Sequence, residues 1–172
     1  HYEALLYFAA PARLPYGSRH LTRVRQFSEE ITRFLLDRKA KTIVVACNTA
    51  SAAALHYLRD TFPGTPFVGI EPAVKPAARQ SRAKIVGVLA TEATFQSNLF
   101  ANKVQQFAQD VKVLTCACPA LVDLVEMGHI GSSSTRALLR NHLAPLLKSG
   151  ADTLVLGCTR YSFFRHTIAE LV

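Results

Sequence analysis

Residues 35–49 read LLDRKAKTIVVACNT, and residues 146–159 read LLKSGADTLVLGCT. The two segments align with a constant offset of 111 positions, from Cys47 to Cys158, and they share further identities at Leu35, Leu36, Ala40 and Thr42. Each segment is typical of a helix that ends, a short loop and a buried strand that stops at a cysteine. The repeat therefore predicts two similar halves, each of which contributes one thiol, suited to act on both faces of one small molecule.

Helical and strand patterns alternate along the rest of the chain. Apolar spacing predicts helices over 22–38, 51–61, 74–79, 91–110, 120–127, 135–148 and 162–172. Short apolar runs predict strands over 4–9, 42–46, 67–70, 84–89, 111–114 and 153–156. The run 42–46 lacks polar alternation, which is typical of a strand buried on both faces. This rhythm predicts an α/β fold of two similar parallel-sheet halves with helices on both faces, pseudo-twofold related, divided into domains 1–72 and 73–172.

Composition narrows the class of protein. An apolar content of 49% with 19% charged residues over 172 residues is typical of a folded globular protein. We find no apolar run near the length of a membrane span and no signal-peptide pattern, and four cysteines without such a signal favour the reducing cytoplasm. The net charge of +8 is concentrated in Arg13, Arg19, His20, Arg23 and Arg25. No aromatic-interleaved basic stripe accompanies them, so we expect a solvated basic face and consider nucleic acid an unlikely partner.

The two repeated cysteines are the strongest candidates for chemistry. In parallel α/β sheets, ligands bind beyond the carboxyl ends of the strands, where both Cys47 and Cys158 are expected. A following helix N-terminus favours the thiolate, and the adjacent Asn48, Thr49 and Thr159 could bind a carboxylate. A buried cysteine often only fills space, but the duplication favours function here.

Cys116 and Cys118 lack such duplication, so we expect them to pack in the interior. Their spacing fits no common structural zinc site, and no metal site is predicted.

An opposed pair of thiols at 47 and 158 suits racemisation in particular. One thiolate removes a proton from carbon while the other thiol returns one on the opposite face. Such a reaction needs no cofactor if the site stabilises the carbanionic transition state.

Three segments carry a family resemblance: Leu14-Pro15-Tyr16-Gly17, residues 44–51 (VVACNTAS) and Leu156-Gly157-Cys158-Thr159. Together with segments 69–73, 87–91 and 118–119, they make essentially the whole chain resemble the glutamate branch of the aspartate/glutamate racemase family. The resemblance implies cofactor-independent interconversion of L- and D-glutamate for bacterial peptidoglycan, with glutamate as the small-molecule partner and a homodimer as one assembly. It implies that Cys47 and Cys158 are the catalytic acid/bases and that substrate is bound by Tyr16, Gly17, Asn48, Thr49, Thr159 and Arg160.

The chain also departs from the family pattern. The family opens with a strand that ends in Asp-Ser-Gly and has further C-terminal elements, so we expect this chain to be incomplete at both ends, with an incomplete first half and poor activity in isolation. Arg160 stands where the family has histidine, and arginine cannot exchange a proton. Ala10 and Pro11 replace a usual Asp-Thr pair. Two alternatives therefore stay open: a non-catalytic binding protein of the same fold, and a racemase that acts on aspartate.

Overall fold

The computed structural model describes residues 4–172, which form eight α-helices and five strands. The helices are α1 (Leu21–Asp37), α2 (Asn48–Thr61), α3 (Val74–Gln80), α4 (Glu92–Phe95), α5 (Asn98–Phe107), α6 (Ala120–Glu126), α7 (Ser133–Lys148) and α8 (Arg165–Ala169). The strands are β1 (Ile43–Val45), β2 (Phe67–Gly69), β3 (Ile85–Ala90), β4 (Lys112–Ala117) and β5 (Thr153–Leu156). Two 3-10 helices span Pro11–Arg13 and Thr159–Phe164.

The strands form two parallel sheets. Strands β1 and β2 pair with Ile43 opposite Phe67, and a three-stranded sheet has the order β4-β3-β5. The predicted α/β fold with two parallel sheets is therefore confirmed. The two strands of the repeated segments are β1 and β5, one in each sheet. The domain division at 72/73 stays a prediction.

Each sheet has its own hydrophobic core. One face of the larger sheet packs against α6, α7 and the C-terminal helices, through residues that include Leu89, Leu121, Leu139 and Phe164. Its other face packs against α3 and α5. Strand β3 contributes to both cores because successive side chains of a strand point to opposite faces of the sheet. The smaller sheet packs one face on α2 through a cluster of Ile43, Ala54, Leu58 and Phe67.

Two of the strand predictions are wrong. Residues 4–9 form no strand, since neither sheet offers this segment a partner, and Leu5 and Tyr7 are largely exposed. Strand β1 is not buried on both faces, because Val44 is 60% exposed and its register partner Val68 is 51% exposed. The uninterrupted apolar run correctly predicted a strand at this position. It wrongly predicted that both faces of the strand are covered.

Two predicted helices are divided in the structure. The segment 91–110 breaks into α4 and α5, because Ser97 adopts an extended backbone and its hydroxyl caps α5 by accepting the N–H of Phe100. The segment 162–172 begins instead as the 3-10 helix Thr159–Phe164, and α8 follows it. Within residues 4–172, no helix combines the length and the apolar character that crossing a membrane would require.

Candidate active site

Cys47 lies at the junction of β1 and α2. The strand ends at Val45, and Cys47 is the N-cap residue of α2, with its Sγ accepting the N–H of Ala50 at 3.5 Å. The helix begins at Asn48, three residues earlier than expected, so the half-buried thiol directly faces the first unpaired N–H groups of a 14-residue helix. The predicted position of this thiol at a strand end and a helix start is confirmed.

Cys158 occupies the equivalent place after β5. Gly157 donates its N–H to the carbonyl of Leu89 at 2.7 Å, and Cys158 then begins the 3-10 helix as its N-cap residue. Burial raises the pKa of the Cys158 thiol. The backbone N–H of Arg160 acts against this rise, whereas the charge of Cys47 adds to it. The backbone N–H groups at the start of the helix thus favour the thiolate of Cys158 as expected, but the desolvation of the thiolate outweighs them.

The charge of Cys47 contributes to the raised pKa of Cys158, although the two thiols follow strands of different sheets. Because both follow the carboxyl ends of parallel strands, they lie where α/β sheets bind ligands. The structure thus places one thiol at the strand-end edge of each sheet.

Three buried threonine hydroxyls join the two halves beside Cys47. Thr49 Oγ1 lies 2.9 Å from Thr91 Oγ1 and 3.5 Å from Thr94 Oγ1, and the last two are 3.0 Å apart. Thr49 belongs to α2, whereas Thr91 follows the carboxyl end of β3 and caps α4. The sequence analysis assigned no role to Thr91 or Thr94, although the strand-end rule that identified the cysteines also applies to Thr91.

The predicted binding residues Tyr16 and Gly17 lie against this threonine cluster and Cys47. A Cβ atom on Gly17 would lie 2.6 Å from Thr91 Cγ2, so the backbone approaches too closely for any side chain. The half-buried Tyr16 packs near Cys47 and against Phe27, with ring centroids 6.2 Å apart. Burial raises the pKa of Tyr16, and the nearby Cys47 raises it further. The loop thus forms a neutral wall of the site.

Asn48 carries an unpaired polar atom next to the Cys47 thiol. Its side chain is buried, and Oδ1 is the one buried side-chain polar atom in residues 4–172 without a hydrogen-bond partner in the protein. A buried acceptor left unpaired costs about 1–3 kcal/mol, so a ligand N–H at this position would be stabilised. The predicted binding role of Asn48 therefore has a physical basis.

Thr159 and Arg160 follow Cys158 directly, as the first residues of the 3-10 helix Thr159–Phe164. Arg160 Nε donates to Glu126 Oε1 at 2.7 Å, so the guanidinium is already partly engaged. Partial burial pulls the pKa of Arg160 down, but the bond to Glu126 and the nearby cysteines raise it overall. Thr159 is half-buried, and its carbonyl accepts the hydroxyl of Ser162. The site therefore has one permanently positive group beside its thiols.

The basic segment has internal partners. The guanidinium groups of Arg13, Arg19 and Arg23 lie 4.8, 5.7 and 4.5 Å from the centroid of the Phe27 ring. Arg13 also pairs with Glu30 at 2.8 Å. These three arginine side chains thus pack around one aromatic ring, in contacts of the cation–π kind.

Comparisons with known proteins find relatives of this chain. A family model described as Asp/Glu/Hydantoin racemase matches residues 2–172. The glutamate racemase of Pseudomonas paraeruginosa is 49% identical over 170 residues, which are 99% of this chain and 64% of that protein. This chain therefore spans less than two thirds of that relative's length.

Two solved structures have the same fold. Escherichia coli glutamate racemase, in complex with L-glutamate and the activator UDP-MurNAc-ala, is 31% identical with a TM-score of 0.82, and the match covers 94% of this chain and 62% of that one. The Francisella tularensis enzyme, in complex with D-glutamate, is 28% identical with a TM-score of 0.80, over 94% and 60% of the two chains.

Proposed function

Because the chain belongs to the Asp/Glu/hydantoin racemase family, we propose that the protein interconverts L- and D-glutamate, with Cys47 and Cys158 as its two acid/base groups. The observation that carries the proposal is the placement of two thiols after the carboxyl ends of parallel strands, each as the N-cap residue of the helix that follows. The relatives named above are glutamate racemases, which favours the enzyme over a non-catalytic binding protein.

The proposed reaction is a balanced transfer of two protons. In one direction, the Cys47 thiolate removes the proton from Cα, so that a C–H bond breaks and an S–H bond forms. The Cys158 thiol then donates its proton to the opposite face, which leaves Cys158 as the thiolate and inverts the carbon. The raised pKa of Cys158 supports its role as the resting acid. The reverse direction exchanges the two roles, and no electron acceptor is required.

Binding of the amino acid is assigned to the groups around the thiols. The unpaired Asn48 Oδ1 suits an ammonium N–H of the substrate, and the hydroxyl groups of Thr49 and Thr159 suit a carboxylate. The positive charge of Arg160 stabilises the anionic substrate and the negative charge that develops at Cα. Tyr16 and Gly17 close the site from the first half of the chain.

Relatives support glutamate as the substrate rather than aspartate, since one binds L-glutamate and another binds D-glutamate in their solved structures. A role in peptidoglycan synthesis, a cytoplasmic location and a homodimer stay predictions. Sedimentation of the purified protein tests the assembly directly.

Incorporation of solvent deuterium at Cα tests the reaction. The folded protein is incubated with each enantiomer of glutamate in D₂O, and NMR measures the loss of the Cα proton while chiral chromatography measures inversion. We expect both enantiomers to exchange, at a low rate in this chain alone, and we expect Cys47→Ser or Cys158→Ser to lower the rate of inversion at least about a hundredfold. Unchanged exchange in the double variant would exclude the two-thiol mechanism.

Binding of glutamate is measured separately by NMR titration. Asn48→Ala removes one hydrogen bond to a charged group, worth about 1.5–3 kcal/mol, so the dissociation constant should rise at least about tenfold. The exposed Asn102 supplies the matched control, because Asn102→Ala changes the same residue type away from the site. Equal affinity of the two variants would remove Asn48 from the binding site.

A further inference from the structure

A second group of sulfur and imidazole side chains is formed by residues without a role in the proposed reaction, and two of them share a hydrophobic cluster with Cys158. Cys116 is in β4, Cys118 follows the same strand, and His142 is on α7. Cys116 Sγ lies 3.5 Å from Cys118 Sγ and 3.5 Å from His142 Nδ1. The three ligand atoms all lie within 4.8 Å of one another, and no other set of three His, Cys, Asp or Glu residues in 4–172 is arranged in this way.

We propose that Cys116, Cys118 and His142 form a binding site for Zn²⁺. The sequence analysis expected the two cysteines to pack in the interior and predicted no metal site. The Cys-x-Cys spacing with a distant histidine matches no common motif, and only the pairing of β4 with its neighbours and the packing of α7 bring the three together.

The distances fit a tetrahedral ion. Zinc–sulfur bonds of about 2.3 Å and zinc–nitrogen bonds of about 2.0–2.1 Å imply, in a tetrahedron, an S–S separation of about 3.8 Å and an S–N separation of about 3.6 Å. Two of the three separations are 3.5 Å, which is within a few tenths of an ångström of these values, and the third is no more than 4.8 Å. Small rotations of the side chains would therefore admit the ion.

The donor set selects the kind of metal. Two thiolates and one imidazole are soft and borderline ligands, which suit Zn²⁺ and exclude Mg²⁺ or Ca²⁺, whose ligands are oxygen atoms. Cys118 releases its proton when the metal binds, as is usual for thiol ligands. Three protein ligands leave the fourth position to water.

The residues around the three ligands leave one side open for a metal ion and hold the backbone of Cys118 in place. Cys116 and His142 are half-buried and define the entry side, whereas Cys118 is fully buried and forms the inner wall. Tyr161 Oη donates to the carbonyl of Cys118 at 2.7 Å and fixes the backbone that carries this ligand. Such second-layer contacts typically strengthen metal binding tenfold to a hundredfold.

Spectroscopic titration with Co²⁺ tests the proposal. The reduced protein is titrated with Co²⁺ alone, whose thiolate charge-transfer and visible d–d bands report tetrahedral sulfur ligation, and Zn²⁺ is then added to displace it. The thiols at 47 and 158 could also bind metal, so the measurement is made in the Cys47→Ser/Cys158→Ser variant. We expect one equivalent of Co²⁺ to bind there with sulfur charge-transfer bands. Absence of these bands in the folded variant would overturn the proposal.

Ligand variants in the same background assign the residues. Cys116→Ser and His142→Asn alter half-buried side chains, so both variants should fold, and circular dichroism confirms that they do. Each should weaken Co²⁺ and Zn²⁺ binding at least about tenfold, while His56→Asn, at a highly exposed histidine, should leave it unchanged. Unaltered affinity in either ligand variant would contradict the assignment. Because the background lacks both proposed catalytic thiols, failure here leaves the racemase proposal untouched.

Discussion

The close approach at Gly157 makes its replacement by alanine a test of how the second thiol is positioned. A Cβ atom on Gly157 would lie 2.9 Å from Ala90 Cβ, 3.1 Å from the carbonyl oxygen of Leu89 and 3.2 Å from Pro72 Cγ. Gly157 also donates the 2.7 Å hydrogen bond to that carbonyl. The new methyl group therefore cannot be accommodated by a side-chain rotation alone, because backbone lies on one side of it.

The expected loss of unfolding free energy in Gly157→Ala follows from these distances. Carbon atoms in contact prefer a separation of about 3.5–4.0 Å, so the chain before Cys158 must move by roughly 0.6 Å or more away from Ala90. Insertion of a methyl group into a packed interior costs about 1–3 kcal/mol of unfolding free energy. In a chain of this length, each kcal/mol lowers the melting temperature by about 2–4 °C. We therefore expect Gly157→Ala to melt about 2–12 °C below the wild type.

Thermal and urea unfolding, followed by far-ultraviolet circular dichroism, measure this effect. Gly64→Ala is the matched control, because a Cβ atom on Gly64 would meet nothing within 4 Å. The control should be neutral or stabilised by up to about 1 kcal/mol through the reduced freedom of the unfolded chain. If the two alanine variants unfold at the same temperature, the backbone before Cys158 is not held tightly against β3.

Three further substitutions test other contacts. The backbone N–H of Ala83 and neighbouring donors lower the pKa of Asp152 to about 2, so its stabilisation is complete above about pH 4 and disappears as the pH falls toward 2. Asp152→Asn should therefore lower the urea midpoint at pH 6 and match the wild type at pH 2, and a constant difference would contradict the linkage. Tyr161→Phe removes the hydroxyl donor of the Cys118 carbonyl, which keeps the N–H of Leu121, and should lower the unfolding free energy by about 0.5–1.5 kcal/mol, whereas no loss in urea titration would refute that bond's role. Glu126→Gln weakens a partly exposed ion pair and should change the same quantity by less than about 1 kcal/mol, and a larger loss would mean that the pair is effectively buried.

The elements that could be predicted are those with a strong local pattern. Helix α1 was predicted over 22–38 and spans Leu21–Asp37, and strand β5 was predicted over 153–156 and spans Thr153–Leu156. Both cysteines of the repeat were predicted at strand ends, and both are there. Periodicity and duplication are properties of the sequence itself, so no tertiary information was needed for these elements.

The remaining features depend on contacts between distant residues. Residues 4–9 would need a partner strand to form a strand, and Val44 would need a covering layer to be buried. The local sequence pattern predicts neither of these. The bond between Thr49 and Thr91 joins residues in different halves. The grouping of Cys116 with His142 likewise arises only when β4 and α7 pack together. The direction of the Cys158 pKa shift required its burial to be known.

The exposed valine pair on the smaller sheet has a practical consequence at the bench. Val44 and Val68 are neighbours in register, with 60% and 51% of their surfaces open to water. The fluorescence of dyes such as anilinonaphthalene sulfonate increases when they bind apolar surface of this kind. These dyes are commonly used to detect loosely packed intermediates. In a sample of this 172-residue chain, a dye signal would arise from the folded state, and it should not be taken as a sign of a molten state.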